Sequence, residues 1–475
     1  MKNNTGGALM KRQELVIETQ SIVESFVIEK PNIGNISKCI EDVKNAALAT
    51  DMGPSNPTDY NTLRGRLEAS RKKLPPIYQE AVFEPFVKIL NDLGEEGFNE
   101  LQRSGNNAID LLFDIAQAIL QNGEGYKEKA TDAFQEVVSD LYDGFLSAED
   151  RLRVKSPDRS IIAPLVKWGN PNSGPYTWPA DVTGSIFKLQ TGVVSLPPAN
   201  AEQGLLAWSA LGHETGGHDI LHADIGLLEE LAQAVRTELT KQNFKQGLPE
   251  YWASRIDETA SDVLGILNMG PAAGIGLIGY FRGLNAAFMG KPILRNSGSK
   301  TDPHPIDILR GYLASSTVKL LSFNGASDWS EVIEAETNKD LSEIRFGEVK
   351  ISPEDAKNSA NIVASVIAKT KLESLENHAL SEIQNWRNED ELIVQELRSH
   401  LTMGTLLPND FESKVYATHV VAAAVVEALS TDANISLTFD RMVAILKIMH
   451  DNNPSWGPLF IAHPGDISPH IVYGQ

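Results

Sequence analysis

The segment from Ala210 to Asp224, ALGHETGGHDILHAD, places three histidines, one glutamate and two aspartates close together. Imidazole nitrogens and carboxylate oxygens are ligands of catalytic zinc ions, which bind three protein groups and keep a fourth position open. A metal held there would activate a water molecule, and Glu214, next to His213, is placed to accept the water proton. These residue types therefore predict a zinc-dependent hydrolase.

The spacing of the histidines leaves two ligand pairs to compare. A zinc peptidase helix usually reads H-E-x-x-H, with both imidazoles on one face. His218 and His222 have this regular spacing, but they would leave Glu214 a full turn before the first ligand. His213 and His218 keep Glu214 directly after the first ligand, although they are five residues apart. We therefore expect His213 and His218 to hold the metal.

A regular helix would point these two histidines in different directions, because residues five apart diverge by about 140°. One extra residue within a helix can be accommodated as a π-bulge, which is frequent at functional sites. Gly216 and Gly217 lie between the histidines, and glycine tolerates the unusual dihedrals that such a bulge requires. The sequence thus predicts a π-bulge that returns His218 to the side of His213.

A second acidic cluster supplies the remaining groups of the site. Glu258 and Asp262 are four residues apart, which places them on one face of a helix. The turn at 247–249 allows this helix to return beside the first motif. We expect Glu258 to be the third metal ligand, and Asp262 to accept the other ring N–H of a ligand histidine.

The two motifs together resemble a known family. HETGGH at 213–218 resembles the H-E-x-x-G-H motif of the dipeptidyl peptidase III family of zinc exopeptidases, and DETASD at 257–262 is similar to that family's E-E-x-x-A-E/D motif. This chain has Asp257 and Ser261 where the family has glutamate and alanine, and the likeness covers the fifty residues 213–262 of the 475. The resemblance implies a zinc peptidase whose metal ligands are His213, His218 and Glu258. It implies that Glu214 is the general base and that Asp262 accepts the ring N–H of a ligand histidine.

Substrate-binding groups should come from other segments. In peptidases of this type a strand before the active helix pairs with the extended substrate, and residues 185–196 are where that strand is expected. Groups that stabilise the transition state are expected after the second motif, with His304 preceding a proline and an apparent helix. The preferred candidates are His304, Tyr280 and Arg310, and the further ones are Arg282 and Tyr312.

Hydrophobic periodicity predicts a mainly α, multi-helical fold of two or three lobes, with a small β-element before the active-site helix. Residues 1–155 are read as an N-terminal helical lobe and 331–475 as a C-terminal helical lobe. Between them, 156–330 form the catalytic region, which begins with a segment rich in proline, glycine, serine and asparagine that contains short strands.

Composition restricts the class of protein. The only cysteine, Cys39, excludes an intramolecular disulfide framework and is expected to be an inert buried thiol, which fits a reducing, cytoplasmic location. The N-terminus lacks the apolar run of a secretory signal, and no segment is apolar enough to span a bilayer.

A net charge of −21 argues against nucleic acid and anionic membranes as partners, and a peptide substrate is expected. The oligomeric state is left open.

Two other functions remain open at this point. Glu214 and His218 are also four residues apart, as in the carboxylate-bridged helical bundles that hold iron in oxidoreductases. A non-catalytic interaction protein could also retain the metal for stability. Metal analysis would distinguish iron from zinc, and cleavage of a peptide library would distinguish an enzyme from a scaffold.

Overall fold

A computed structural model describes residues 28–457, apart from gaps at 147–150, 152–153, 160–161, 243, 245–246, 406 and 408–414. Helices account for 66% of the structure and strands for 7%, which confirms the predicted mainly α class. The first twenty residues, where no secretory signal is expected, lie outside the described part. In that part, no helix combines the length and the apolar character needed to cross a membrane.

The N-terminal segment is helical up to the first strand. Side chains cap several of these helices, as where Asp59 accepts a hydrogen bond of 2.7 Å from the Thr62 amide, because the first amides of a helix have no partner within it. The longer helices are α1 (Ile36–Ala47), α2 (Tyr60–Ser70), α3 (Glu84–Ser104), α4 (Asn107–Glu124) and α5 (Glu128–Leu146). Short α, π and 3₁₀ segments at Pro76–Tyr78, Gln79–Phe83 and Arg71–Lys73 precede α3.

A small sheet follows, as predicted for the segment before the helix that carries the first motif. Its strands, with one helix between them, are β1 (Ile162–Trp168), β2 (Tyr176–Trp178), α6 (Ala180–Phe187) and β3 (Thr191–Leu196). The strand order is β1-β3-β2; β3 is parallel to β1 and antiparallel to β2. This part of the chain also contains one short helix at Leu206–Ser209. Its 3₁₀ segments are Pro171–Ser173, Pro198–Ala201 and Ile220–Ala223.

The rest of the chain is again mostly helical. The helices up to the second sheet are α7 (Leu211–Gly216), α8 (Leu227–Lys241), α9 (Leu248–Ala253), α10 (Ile256–Met269) and α11 (Pro271–Met289). The remaining elements are β4 (Ser297–Gly298), α12 (Asp307–Val318), α13 (Ala326–Lys339), β5 (Ile344–Phe346), β6 (Val349–Ile351), α14 (Pro353–Lys369), α15 (Asn388–Met403), α16 (Ala417–Leu429) and α17 (Ile435–Asn452), with short turns at Glu373–Leu375 and Leu380–Ile383.

The first sheet is buried on both faces. Alternate residues of a strand point to opposite sides, so Val193 packs into a core formed with α2, α3 and α4, whereas Val194 packs into the larger core. That larger core contains buried residues from Ile36 to Met449 and therefore draws on all three predicted lobes. The lobe boundaries at 155 and 330 stay predictions. Cys39 is buried, and burial raises the pKa of its thiol to about 12, as expected for an inert cysteine.

Two helices that carry the chemical motifs cross at very short range. A Cβ atom on Gly265 of α10 would lie 2.9 Å from the carbonyl carbon of Gly212 in α7, which is closer than real Cβ contacts. Glycine at both positions lets the two backbones touch. This crossing places the start of α10 beside the C-terminal end of α7, and α12 packs against α10 from behind.

Candidate metal centre

His213, His218 and Glu258 form a compact group of possible metal ligands. The two histidine Nε2 atoms are 3.1 Å apart, and each lies 3.4 Å from one carboxylate oxygen of Glu258. Bonds of about 2.0–2.1 Å to tetrahedral zinc place neighbouring ligand atoms about 3.3–3.4 Å apart. The separations therefore fit one small cation bound to all three residues.

The carboxylate of this group is ionised, as a metal ligand must be. Burial would raise the pKa of Glu258, but His213, His218 and Arg310 outweigh that effect and hold this pKa well below its usual range. The ionised carboxylate is buried, and its Oε2 atom makes no hydrogen bond to the described residues. Arg310 Nη1 lies 3.5 Å from this oxygen without forming a hydrogen bond, and a metal ion would supply the close partner that the oxygen lacks.

The chain reaches this geometry without the predicted π-bulge. Helix α7 ends at Gly216, Gly217 and His218 lie in a turn, and a 3₁₀ segment begins at Ile220. The expectation of a π-bulge is therefore wrong. The helix does not have to absorb an extra residue, because it stops before His218 and the turn redirects that side chain.

Gly217 is required by packing and not by unusual dihedrals, since its φ of −91° is accessible to any residue. A Cβ atom there would lie 1.7 Å from the Ser261 Oγ atom and 2.2 Å from the Ser261 Cα atom. Gly216 differs, because its nearest neighbour would be a Leu264 methyl at 3.8 Å. Only Gly217 allows the turn to press against α10, and this contact sets His218 opposite Glu258.

The two glycines provide a matched test of this contact. We expect Gly217→Ala to lower the free energy of unfolding by about 1–3 kcal/mol, because an overpacked core forces backbone shifts. Gly216→Ala should be neutral or stabilising by up to about 1 kcal/mol, since alanine is the better helix former. Chemical denaturation followed by circular dichroism measures both. Equal stabilities of the two variants would contradict the packing argument.

Behind the ligands, Asp262 and Arg310 hold His213 in place. Asp262 Oδ1 lies 2.9 Å from His213 Nδ1, and Arg310 binds both Asp262 oxygens at 2.6 and 2.8 Å. Asp262 and Arg310 are almost fully buried. The Asp262 contact orients the imidazole so that its Nε2 faces His218 and Glu258, and the role of Asp262 behind a metal ligand stays a prediction.

A second carboxylate plays the same part for His218. Asp257 Oδ1 lies 3.2 Å from His218 Nδ1, which again leaves Nε2 for the metal. The same oxygen lies 3.4 Å from His222 Nε2, and the other nitrogen of His222 lies 3.2 Å from Asp181. Burial lowers the pKa of His222, but Asp181 and Asp257 outweigh it and raise that pKa to about 9. His222 therefore supports Asp257 and is not part of the ligand group.

Glu214 opens onto a cavity of about 610 Å³ that the ligands also line. It is mostly buried, and the Thr177 hydroxyl lies 3.1 Å from its Oε2 atom and 3.0 Å from its backbone carbonyl oxygen, so that its single proton is shared between these two acceptors. This contact holds the Glu214 carboxylate at the wall of the cavity that His213, His218 and Glu258 also line. A free coordination position facing a cavity is characteristic of catalytic metal sites.

The other predicted groups divide between the cavity and the core. Tyr280 and His304 line the cavity, and His304 Nε2 lies 3.4 Å from Glu258 Oε1. Arg310 also borders the cavity, although its guanidinium is occupied with Asp262. Arg282 and Tyr312 are elsewhere: Arg282 is buried against Glu336 and Asp340, and Tyr312 donates to Asn338. These two candidates are not brought to the site.

The strand that was expected to pair with the substrate has no free edge for it. Within 185–196, β3 is the central strand of its sheet, so both of its edges are already paired. Strand β2 lies at the edge, pairs only with β3 in the described chain, and contains Thr177, the partner of Glu214. Because an added strand needs an unpaired edge, β2 and not β3 can accept an extended peptide.

Sequence reasoning missed the roles of Asp257, Thr177 and Asp181. Asp257 could have been found, because it is adjacent to Glu258 on a helix that faces a second histidine. Thr177 and Asp181 carry no local signal, since they precede the first motif by more than thirty residues and reach it only through the sheet and α6. Comparison of the chain with protein-family models, with curated proteins and with solved structures gives no match.

Proposed function

We propose that this protein is a zinc-dependent metallopeptidase. The observation that carries the proposal is the His213, His218 and Glu258 triangle, whose separations suit zinc and which shares a cavity with the Glu214 carboxylate. Two imidazoles and one carboxylate with an open position are a known ligand set of catalytic zinc, and the Glu214 carboxylate in the same cavity favours a hydrolytic zinc site. A cytoplasmic location belongs to the same proposal, because a single cysteine suits a reducing compartment.

A peptide is favoured as the substrate because of the edge of β2. That edge runs beside Glu214 and is unpaired in the described chain, so that an extended backbone can add to it through main-chain hydrogen bonds. The cavity lining adds apolar contacts from Leu277, Phe281 and Leu284. Substrate-binding clefts combine such apolar walls with a few placed polar groups.

The reaction assigned to this site is hydrolysis of an amide bond. When bound, zinc supplies a Lewis acid that polarises the scissile carbonyl and makes water nucleophilic near neutral pH. Glu214 accepts a proton from the attacking water and returns it to the leaving nitrogen as the C–N bond breaks. Tyr280 and His304 line the same cavity, and in this proposal they donate hydrogen bonds to the oxygen that gains negative charge.

The direct test combines metal analysis with cleavage of a peptide library. We expect the purified protein to hold about one equivalent of zinc, and to cleave peptides in a reaction that a chelator abolishes and added zinc restores. Iron in place of zinc would favour an oxidoreductase. Bound zinc without cleavage of any peptide would favour a structural metal. Absence of a transition metal, even after zinc addition at neutral pH, would refute the metal centre.

A further inference from the structure

A second cavity adjoins the metal cavity, and of the groups assigned to the reaction only Tyr280 lies on its wall. It has a volume of about 230 Å³ and lies between the C-terminal end of α1, the turn 171–174 and helix α11. The two cavities share Ser173, Gly174, Tyr280, Leu284 and Phe288 along their border. The two cavities are therefore direct neighbours, separated only by these five residues.

We propose that this second cavity is a subsite for one large apolar side chain of the peptide substrate. The inference rests on the proposed peptidase function and adds a substrate class to it: peptides with a leucine-like or phenylalanine-like residue near the cleaved bond. The volume is below the about 300–1,000 Å³ of whole small-molecule sites, which suits part of a ligand and not an entire one.

The lining explains why the occupant is apolar. Within the described chain, none of the residues that line this cavity is charged, and Val43, Ala46, Ala47 and Leu284 supply aliphatic surface. A charged side chain would lose its hydration there without gaining an ionic partner, which is costly. An aliphatic or aromatic side chain would gain about 25 cal/mol for each Å² of apolar surface removed from water.

The path of the substrate explains which side chain arrives there. A peptide paired with the edge of β2 passes Thr177, which contacts the general base Glu214. It also passes Gly174, which lies at the border between the two cavities. The two positions are three steps apart in the chain, and since the strand begins only at Tyr176, they are at most about 10 Å apart. The second cavity therefore receives the side chain two or three residues away from the cleaved bond.

Phe288 marks the entrance from the solvent side. It lines both cavities, yet 65% of its surface is exposed, which is unusual for a phenylalanine in the described chain. Its neighbour Met289 lines the metal cavity and is 52% exposed. An apolar side chain bound in the second cavity would cover the Phe288 ring. Substrate binding would then remove this exposed apolar surface from water.

The test fills the cavity without touching the metal, its ligands or Glu214. Ala47 is the last residue of α1 and faces the cavity, and Ala47→Phe would occupy the space. Asn45 lies on the same helix, is exposed and does not line the cavity, so Asn45→Phe is the matched control. Peptides that differ in one residue, with leucine, phenylalanine, alanine or aspartate at each of three positions on either side of the cleaved bond, give kcat/KM.

We expect the native protein and Asn45→Phe to prefer leucine or phenylalanine over alanine at one position by at least about tenfold, as hydrophobic pockets commonly do. Ala47→Phe should lose most of that ratio. Equal ratios in Ala47→Phe and the native protein would overturn the proposal, as would a native protein without apolar preference at any position. If Ala47→Phe does not fold, Phe288→Ala, on the exposed rim, should reduce the same ratio, and an unchanged ratio would overturn the proposal.

Binding separates a failure of the subsite from a failure of the peptidase function. The same peptides, labelled with a fluorophore, can be titrated onto zinc-loaded Glu214→Gln protein with and without Ala47→Phe, and followed by fluorescence polarisation. Apolar preference in binding that Ala47→Phe removes would support the subsite even if no peptide is cleaved. Cleavage of peptides with no such preference in binding or rate would leave the peptidase proposal intact and refute the subsite.

Discussion

Glu214→Gln should retain zinc and lose about two to four orders of magnitude in kcat, the usual contribution of a general base. Glutamine keeps the size of the side chain and can still contact Thr177, but its amide cannot accept the proton of the attacking water. Zinc retention is expected because the ligand group consists of His213, His218 and Glu258 alone. Elemental analysis and steady-state kinetics on a cleaved library peptide measure the two effects.

A charge control accompanies this variant. Glu229 is exposed on α8 and does not line the metal cavity, so Glu229→Gln removes the same charge away from the site. We expect Glu229→Gln to keep native kcat. Near-native hydrolysis by Glu214→Gln would assign the base to another residue. Loss of zinc from Glu214→Gln would instead make Glu214 a ligand.

His213→Ala and His218→Ala should each lose zinc at micromolar free metal, and hydrolysis with it. Each substitution removes one of the three atoms that surround the metal position, and Glu258 with a single histidine leaves too few protein ligands for tight binding. The loss of affinity should exceed the about 10–100-fold that follows removal of a group that only orients a ligand. Competition with a chromophoric chelator gives the zinc Kd of each variant.

His222→Ala is the matched histidine control. In the described chain its imidazole contacts Asp257 and Asp181 but no member of the ligand group, so its removal should change zinc affinity by no more than the about 10–100-fold of an orienting contact. We expect zinc to remain bound at micromolar free metal, with a modest loss of stability. Zinc lost from His222→Ala but retained by His213→Ala would refute the ligand assignment.

Several features of this protein follow from local sequence. The helical class is readable because apolar residues recur with the helical period, and N-cap residues such as Asp59 mark helix starts. The candidate ligands are readable because metal chemistry restricts residue types strongly, and Glu258 and Asp262 share a helix face through their spacing alone. The structure brings these groups together with His213 and His218 as that reasoning expects.

Other features depend on contacts between distant segments. Gly217 looked like a source of backbone freedom, whereas the structure makes it the point where the turn touches Ser261. Strand β3 has no free edge because it pairs with β1 as well as with β2. Such pairing depends on how side chains from the whole core pack against the strands. Arg282 and Arg310 have the same chemistry and similar burial, yet only Arg310 reaches Asp262, because α12 packs against α10.

The physical reason for this division is the range of the interactions. Helix periodicity, capping and ligand chemistry act over a few neighbouring residues, so the sequence by itself determines a helical protein with a His-Glu and Gly-His motif and a following Glu-x-x-x-Asp pair. The orientation of Asp257 toward His218, the hydroxyl of Thr177 on Glu214 and the apolar cavity beside α1 depend on close packing between elements far apart in the chain. Packing of this kind is decided by the shapes of all the neighbours at once, and only the tertiary structure determines it.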